Sequence, residues 1–221
     1  MSRIELFELL HQGLVEMGQP LERQMETQLI RYIELIAQWN RVFNLTAIRD
    51  LDTMVIRHLL DSLSILPYLK GRHIIDVGTG AGLPGIPLAI VLPDRQFVLL
   101  DSNQKKTRFL QQTCYHMRLN RNVHIVHKRA EEYTPEQLFD CVISRAFSTT
   151  RDFLTLSEHL IKPGGQILAM KGVYPLTELQ EVNKPFRVVD VHPLKVPQLN
   201  AERHVVDLIY EPVTEMETVN G

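Results

Sequence analysis

The stretch RHIIDVGTGAGLPGIPLAI, Arg72–Ile90, decides how the rest of the chain is read. Gly78, Gly80, Gly82 and Gly85 crowd into it, and Gly80-x-Gly82-x-x-Gly85 is a literal nucleotide-cofactor fingerprint. An Ile-rich run precedes the glycines and an apolar helical run follows. The loop therefore joins a strand to a helix, where glycine lets the backbone approach a ligand at the sheet's carboxyl edge. Asp101 closes the next apolar run, 19 residues after Gly82, where a carboxylate can accept from ribose hydroxyls. A dinucleotide and S-adenosylmethionine both fit these facts. Asp76, two residues before Gly78, separates them: a carboxylate repels a pyrophosphate but attracts a sulfonium and an ammonium. The methyl donor is favoured over a glycine-rich turn with no ligand.

Outward from this loop the pattern alternates. HIIDV, QFVLLD, VHIVH, FDCVIS and GQILAMK are strand-like, and PGIPLAIVL, NQKKTRFLQQTCYHMRL, AEEYTPEQL and DFLTLSEHLI are the helical stretches between them. That rhythm predicts an α/β fold with a doubly wound, mostly parallel sheet. FRVVDVHPLKV and ERHVVDLIYEP follow without an obvious helix between them and predict an antiparallel pair closing one edge. Residues 1–70 are helical by period. Leu21, Met25, Leu29, Tyr32, Ile33, Ile36, Trp39 and Phe43 form one apolar stripe. A polar NLTAIRD turn leads to a helix expected to be capped by Asp52 and stopped by Pro67. The expected division is a helical cap over 1–70, a cofactor-binding core over 71–212 and a flexible tail over 213–221.

Bulk composition narrows the class. The chain has 221 residues, 44% hydrophobic and 23% charged, with a net charge of −2. No run approaches the ~20 apolar residues of a membrane span. The N-terminal segment, with Glu5 and Glu8 inside its apolar pattern, resembles an amphipathic helix rather than a signal peptide. Cys114 and Cys141 are too few for a disulfide framework, and Cys141 sits in a strand as a core residue. The expectation is a cytoplasmic protein, for which the Asn44-Leu45-Thr46 sequon carries no meaning. His124 and His127 bracket one strand and face opposite sides, so no metal site is expected. His58 and Asp61, at i and i+3 on the second helix, can face the cleft, although a helix-surface pair is the commoner arrangement. The charge is uneven: Ser102 to Arg129 holds seven Lys/Arg and no acid, against 17 basic and 26 acidic residues elsewhere. Such a block is commonly a solvated helix face, but it can also steer an anionic partner.

The motifs DVGTGAGLPGIPLA, LLDS, RAEE, FDCVISRAF and MKG, with NLT and RHLLDSL upstream and ERH downstream, resemble the glucose-inhibited division protein B family. These are bacterial methyltransferases of guanine N7 in small-subunit ribosomal RNA, and the likeness runs from about Leu21 to Leu208. The resemblance implies a seven-stranded sheet of the class I S-adenosylmethionine-dependent methyltransferases, Rossmann-like, with a helical N-terminal cap. It further implies 16S rRNA or the 30S subunit as partner, with no protein partner and no membrane, and a monomer. By motif, Gly78 and Leu83 would line the donor's amino-acid end; Asp76, Gly80 and Asp101 are further cofactor-binding candidates. Ala130 and Glu131 would border the adenine, and Arg145 would reach the donor from across the cleft. Lys105, Lys106, Arg108, Lys171 and Arg203 are candidate contacts to RNA phosphate. Arg145 has a surface ion pair as its bland alternative, and Glu131 a solvated helix start.

Absences also inform. Amine methyltransferases carry an Asn/Asp-Pro-Pro-aromatic run after the fourth strand, where SRAFS stands here. Carbon methylation needs a cysteine nucleophile at that edge, and none is placed there. A ring nitrogen with a free lone pair needs neither, so no catalytic base is expected and Arg145 is read as a positioning group. The alternatives are a methyltransferase of another RNA or of a small molecule, a nicotinamide-dependent oxidoreductase, and an RNA-binding module without activity.

Overall fold

The structure, a computed structural model, describes residues 2–145, 147 and 149–212; the expected flexible tail, 213–221, lies outside the described residues. Helix α1 (Arg3–Glu16) opens on a capping box in which Ser2 and Glu5 satisfy each other's amides. Helix α2 (Arg23–Phe43) ends on Asn44 in the left-handed region, φ 49°. Next come α3 (Leu51–Met54), a π-helical turn (Val55–Leu60) and α4 (Asp61–Leu63). A π turn inside a helix often marks a functional position.

The alternating part then gives β1 (His73–Val77), α5 (Gly85–Val91), β2 (Gln96–Asp101), α6 (Gln104–Met117) and β3 (Val123–His127). After them follow β4 (Phe139–Arg145), α7 (Thr150–Ser157), β5 (Ile161–Lys171), α8 (Leu176–Gln180), β6 (Phe186–Pro193) and β7 (His204–Tyr210). The seven strands lie in the order β3-β2-β1-β4-β5-β7-β6. β1 pairs in parallel with β2 and β4, β2 with β3 and β4 with β5, whereas β7 runs antiparallel to both β5 and β6. The doubly wound sheet and its antiparallel edge are as expected. The strand order reverses between β1 and β4, so the crevice beyond their carboxyl ends is where such a sheet binds ligands.

Both faces of the sheet are covered. Ile74, Phe97, Leu99, Ile143 and Leu168 pack under α1, α2, α5 and α6, and the N-terminal helices share that core. Ile75, Val98, Leu100, Val142 and Ile167 face the other way, towards Phe153 of α7. This alternation, apolar on both sides, is what a parallel sheet requires. Helix α2 does more than cover: the buried Tyr32 hydroxyl donates to the carbonyl of Ala81 in the glycine loop at 2.6 Å.

Three local expectations fail. AEEYTPEQL forms only a single 3-10 turn, Ala130–Glu132, because Pro135 interrupts a stretch with little apolar surface to bury. Asp52 is not a cap: it lies within the first turn of α3 after Asp50, and its carboxylate accepts from the Thr53 amide. Pro67 sits inside a 3-10 turn, Leu66–Tyr68, after α4 has already ended at Leu63.

Replacing Tyr32 by Phe deletes the bond to Ala81 and keeps the ring. Urea unfolding is expected to show a loss of about 1–2 kcal/mol, the cost of leaving a buried carbonyl without its donor.

Candidate active site

The glycine loop is organised by two carboxylates. Asp76 is fully buried beneath it, and its Oδ2 accepts from the Thr79 hydroxyl at 2.7 Å and the Gly85 amide at 2.9 Å. Asp101 accepts from the Gly80 amide through Oδ2 and from the Asn103 amide through Oδ1, each at 2.8 Å. Other loop amides also donate inward: Gly78 and Thr79 to the Leu100 carbonyl, Gly82 and Leu83 to that of Thr79, and Ile86 to that of Gly82. Apart from the Ala81 amide, the loop therefore presents a spent backbone rather than a nest of donors.

Above the loop lies a cavity of about 330 Å³ lined by Gly78, Leu100, Asp101, Lys106, Lys128, Arg129, Ala130, Glu131 and Phe147, among others. Gly78 has φ 69°, and a Cβ there would meet only the Phe147 ring, at 3.7 Å. The glycine keeps open a wall that any other side chain would fill, in a backbone conformation that it would strain. Gly78, Asp101, Ala130 and Glu131 are thus brought together as the sequence suggested. Gly80 sits on the Asp101 carboxylate. Asp76 and Leu83 do not line the cavity: Asp76 braces the loop from beneath, and the Leu83 side chain belongs to the core.

Arg145, at the end of β4, opens on a second cavity of about 330 Å³, lined with Ile48, Arg57, His58, Asp61, Met170, Lys171, Gly172 and Arg203. Its guanidinium donates to the Arg57 carbonyl at 2.9 Å and to Asp61 at 3.1 Å. Arg203 donates to the other oxygen of Asp61 at 2.8 Å. Lys171 is paired with Glu178 at 2.7 Å. Arg145 therefore keeps company with Lys171 and Arg203, two RNA candidates, rather than with the donor candidates. Among the described residues of the ISRAF motif, Phe147, two residues after Arg145, lines the first cavity.

His58 and Asp61 are not a surface pair. Both are buried, at 4% and 3% exposure, and both line the second cavity. The NLT segment holds the imidazole: Asn40 accepts from the Thr46 amide, and the Thr46 hydroxyl meets His58 Nε2 at 3.0 Å. Their helical spacing fitted an exposed face because it carries no information on which face β4 and the segment before β7 will cover. The signal that was available is the apolar setting, since Leu59, Leu60 and Leu63 surround Asp61 and are all buried. Lys105 and Arg108 point away from both cavities, whereas Lys106 lines the first, 4.0 Å from Asp101.

Two groups here titrate abnormally. Burial, helped by the charge of Arg145, lowers His58 from 6.5 to about 4. Burial raises Asp76 from 3.8 to about 6, against the pull of the Thr79 and Gly85 hydrogen bonds. Between roughly pH 4 and 6.5 the unfolded chain binds a proton at His58 that the native state does not, so this residue makes stability rise with pH. Over part of that range Asp76 acts in the opposite sense, since the native state holds a proton that the unfolded chain has lost. Comparing His58→Gln with the unaltered protein cancels Asp76. The variant's relative stability is expected to decline by about 1.4 kcal/mol per pH unit from pH 4 upwards and to level off above about 6.5. Denaturant titrations at stepped pH measure it, and parallel curves would mean that the imidazole takes up its proton at the same pH in the native and unfolded states.

A family model described as rRNA small subunit methyltransferase G (GidB) matches residues 25–206. The ribosomal RNA small subunit methyltransferase G of Nitrosococcus oceani is 49% identical over 200 residues, which cover 90% of this chain and 93% of that protein. The protein of the same name from Ectopseudomonas mendocina is 48% identical, covering 91% and 94%. Among solved structures, a SAM-dependent O-methyltransferase from Thermotoga maritima superposes with a TM-score of 0.54 at 16% identity, over 71% of this chain and 66% of that one. At that identity the likeness is one of fold.

Proposed function

This chain belongs to the rRNA small subunit methyltransferase G family, and from that premise we propose that it transfers the methyl group of S-adenosylmethionine to N7 of a specific guanine in 16S rRNA. It acts as a cytoplasmic monomer on the RNA or on the 30S subunit. Among the described residues no helix is long and apolar enough to cross a membrane.

The observation that carries the donor assignment is the spent backbone of the glycine loop. A pyrophosphate is held by free amides at a helix N-terminus. Here the Gly85 amide at the start of α5 is given to Asp76, and its neighbours are bonded internally. What the first cavity offers instead is carboxylate, from Asp101 and Glu131, beside the opening kept by Gly78. Asp101 fits the ribose hydroxyls, and Glu131 beside Ala130 fits the adenine end. Asp76 supports the same reading by a route other than direct attraction: it occupies the donors that a dinucleotide needs.

When bound, the sulfonium supplies a methyl group that is already activated. The residues of the chain then have to align, not to remove a proton, because guanine N7 carries none at neutral pH. In the second cavity Asp61 fixes the guanidiniums of Arg145 and Arg203, and Lys171 stands beside them as a third cation for an acceptor nucleotide and its phosphate. The imidazole of His58, held neutral down to about pH 4, is too weak a base to be recruited at neutral pH.

The test is methyl transfer from tritiated S-adenosylmethionine to 30S subunits lacking the modification, with digestion of the labelled RNA to 7-methylguanosine. Label in any other nucleoside would overturn the N7 assignment. The single-turnover rate is expected to stay nearly flat between roughly pH 6.5 and 8.5, since no general base titrates there. A unit-slope rise, with RNA and protein folding controlled, would place a proton removal in the reaction.

Gly78→Val should weaken S-adenosylhomocysteine binding roughly tenfold or more, because the added side chain enters the cavity and the left-handed backbone costs about 1–2 kcal/mol. Calorimetry reads this directly. Tight binding of NADH with no response to S-adenosylhomocysteine would defeat the donor assignment.

A further inference from the structure

The apolar stripe of α2 does not stay buried to its end. Trp39, the chain's single tryptophan, stands edge-on to the buried Phe109 of α6, with centroids 5.6 Å apart. Its other neighbour, Phe43, stacks on it at 5.2 Å and 28° and is 38% exposed. Facing the pair, α6 presents Lys105, Arg108, Gln111 and Gln112, all exposed, and the six side chains enclose a cavity of about 370 Å³. Among the described residues neither Lys105 nor Arg108 has a carboxylate partner. Both belong to the acid-free stretch from Ser102 to Arg129.

Each component has a counterpart in single-stranded nucleic acid. An aromatic face held rigid by the core is a platform for a base, and stacking of this kind tolerates any sequence. Unpaired cations at its edge match the flanking phosphates, and the two glutamine amides can donate to or accept from a base edge. An apolar protein segment would leave Lys105 and Arg108 desolvated against it without compensation. We propose that the Trp39–Phe43 cavity is a stacking site for a base of single-stranded RNA, separate from the two cavities of the reaction, with Lys105 and Arg108 on the adjoining phosphates. This rests on the reading that the chain acts on RNA. The first turn of α6 lies between this site and the donor cavity, since Lys106 faces one and Lys105 the other.

The lone tryptophan makes the site directly observable. Titrating the full-length protein with oligoadenylate at low salt is expected to quench Trp39 emission saturably. Phe43→Ala should weaken that binding by about tenfold, the scale of one base–aromatic stack. Lys105→Gln combined with Arg108→Gln, both at exposed positions, should reduce the slope of log affinity against log salt by about 1–1.5. S-adenosylhomocysteine binding and the melting temperature should be unchanged in the double variant. Absence of quenching, or an unaltered salt slope in that variant, overturns the proposal. So does a change in emission with protein concentration alone that oligoadenylate does not reverse, which would mark a self-association face. Methyl transfer to 30S subunits, assayed on the same preparations, tells the two readings apart: transfer without quenching rejects only the stacking site, and quenching without transfer rejects the proposed reaction.

Discussion

A carboxylate in a dry interior governs the centre of this molecule. Asp76 has no contact with solvent, yet it gathers the Thr79 hydroxyl and the Gly85 amide onto one oxygen, and so bends the chain leaving β1 back over its own strand. The bend works only because Gly85 has no side chain, as a Cβ there would collide with Leu99 and with Asp76 itself. Burial of a charge is expensive unless it is well satisfied, and the rise of the Asp76 pKa to about 6 records that cost. What it returns is a fixed path for residues 78–85, on which the opening at Gly78 and the placement of Gly80 against Asp101 depend.

Asp61 plays a comparable part for the second cavity. Its two oxygens receive guanidiniums from β4 and from the segment before β7, elements that are not neighbours in the sheet. Two arginines side by side would repel each other and splay into solvent. Sharing a buried anion holds them at one edge with hydrogen bonds that fix direction as well as distance. Phosphate and purine edges are bound by groups of this geometry, whereas lysine alone supplies a mobile point charge.

The elements that carry their own period were legible in the sequence. HIIDV, QFVLLD and VHIVH are β1, β2 and β3 to the residue, because each is a short Val/Ile/Leu-rich run bounded by polar residues or glycine. AEEYTPEQL was misread because helix-favouring composition says nothing about whether a face will be covered, and α8 went unnoticed for the converse reason, its five residues being too few to show a period. Gly78, Asp101, Ala130 and Glu131 could be placed together because they lie at or just past the carboxyl ends of β1, β2 and β3, three consecutive strands of the sheet. Arg145 could be placed at a crevice but not assigned its neighbour, since Asp61 is 84 residues away and the bond between them follows from how α4 docks on the sheet. Leu83 was assigned by its place in the loop, although its side chain turns inward.

Helix α2 touches the glycine loop through Tyr32 and the core beneath the outer aromatic pair through Trp39. Two turns of one rigid rod, about 10 Å, separate those anchors. This span works as a ruler. Adding or deleting a single residue between the anchors would turn one of them by about 100° away from its partner. Either the hydroxyl would leave the Ala81 carbonyl or the indole would leave the Phe109 ring. Length can vary before Arg23 or in the turn after Phe43 without that penalty, so the spacing of Tyr32 and Trp39 is held by mechanics, independently of the identity of the residues between them.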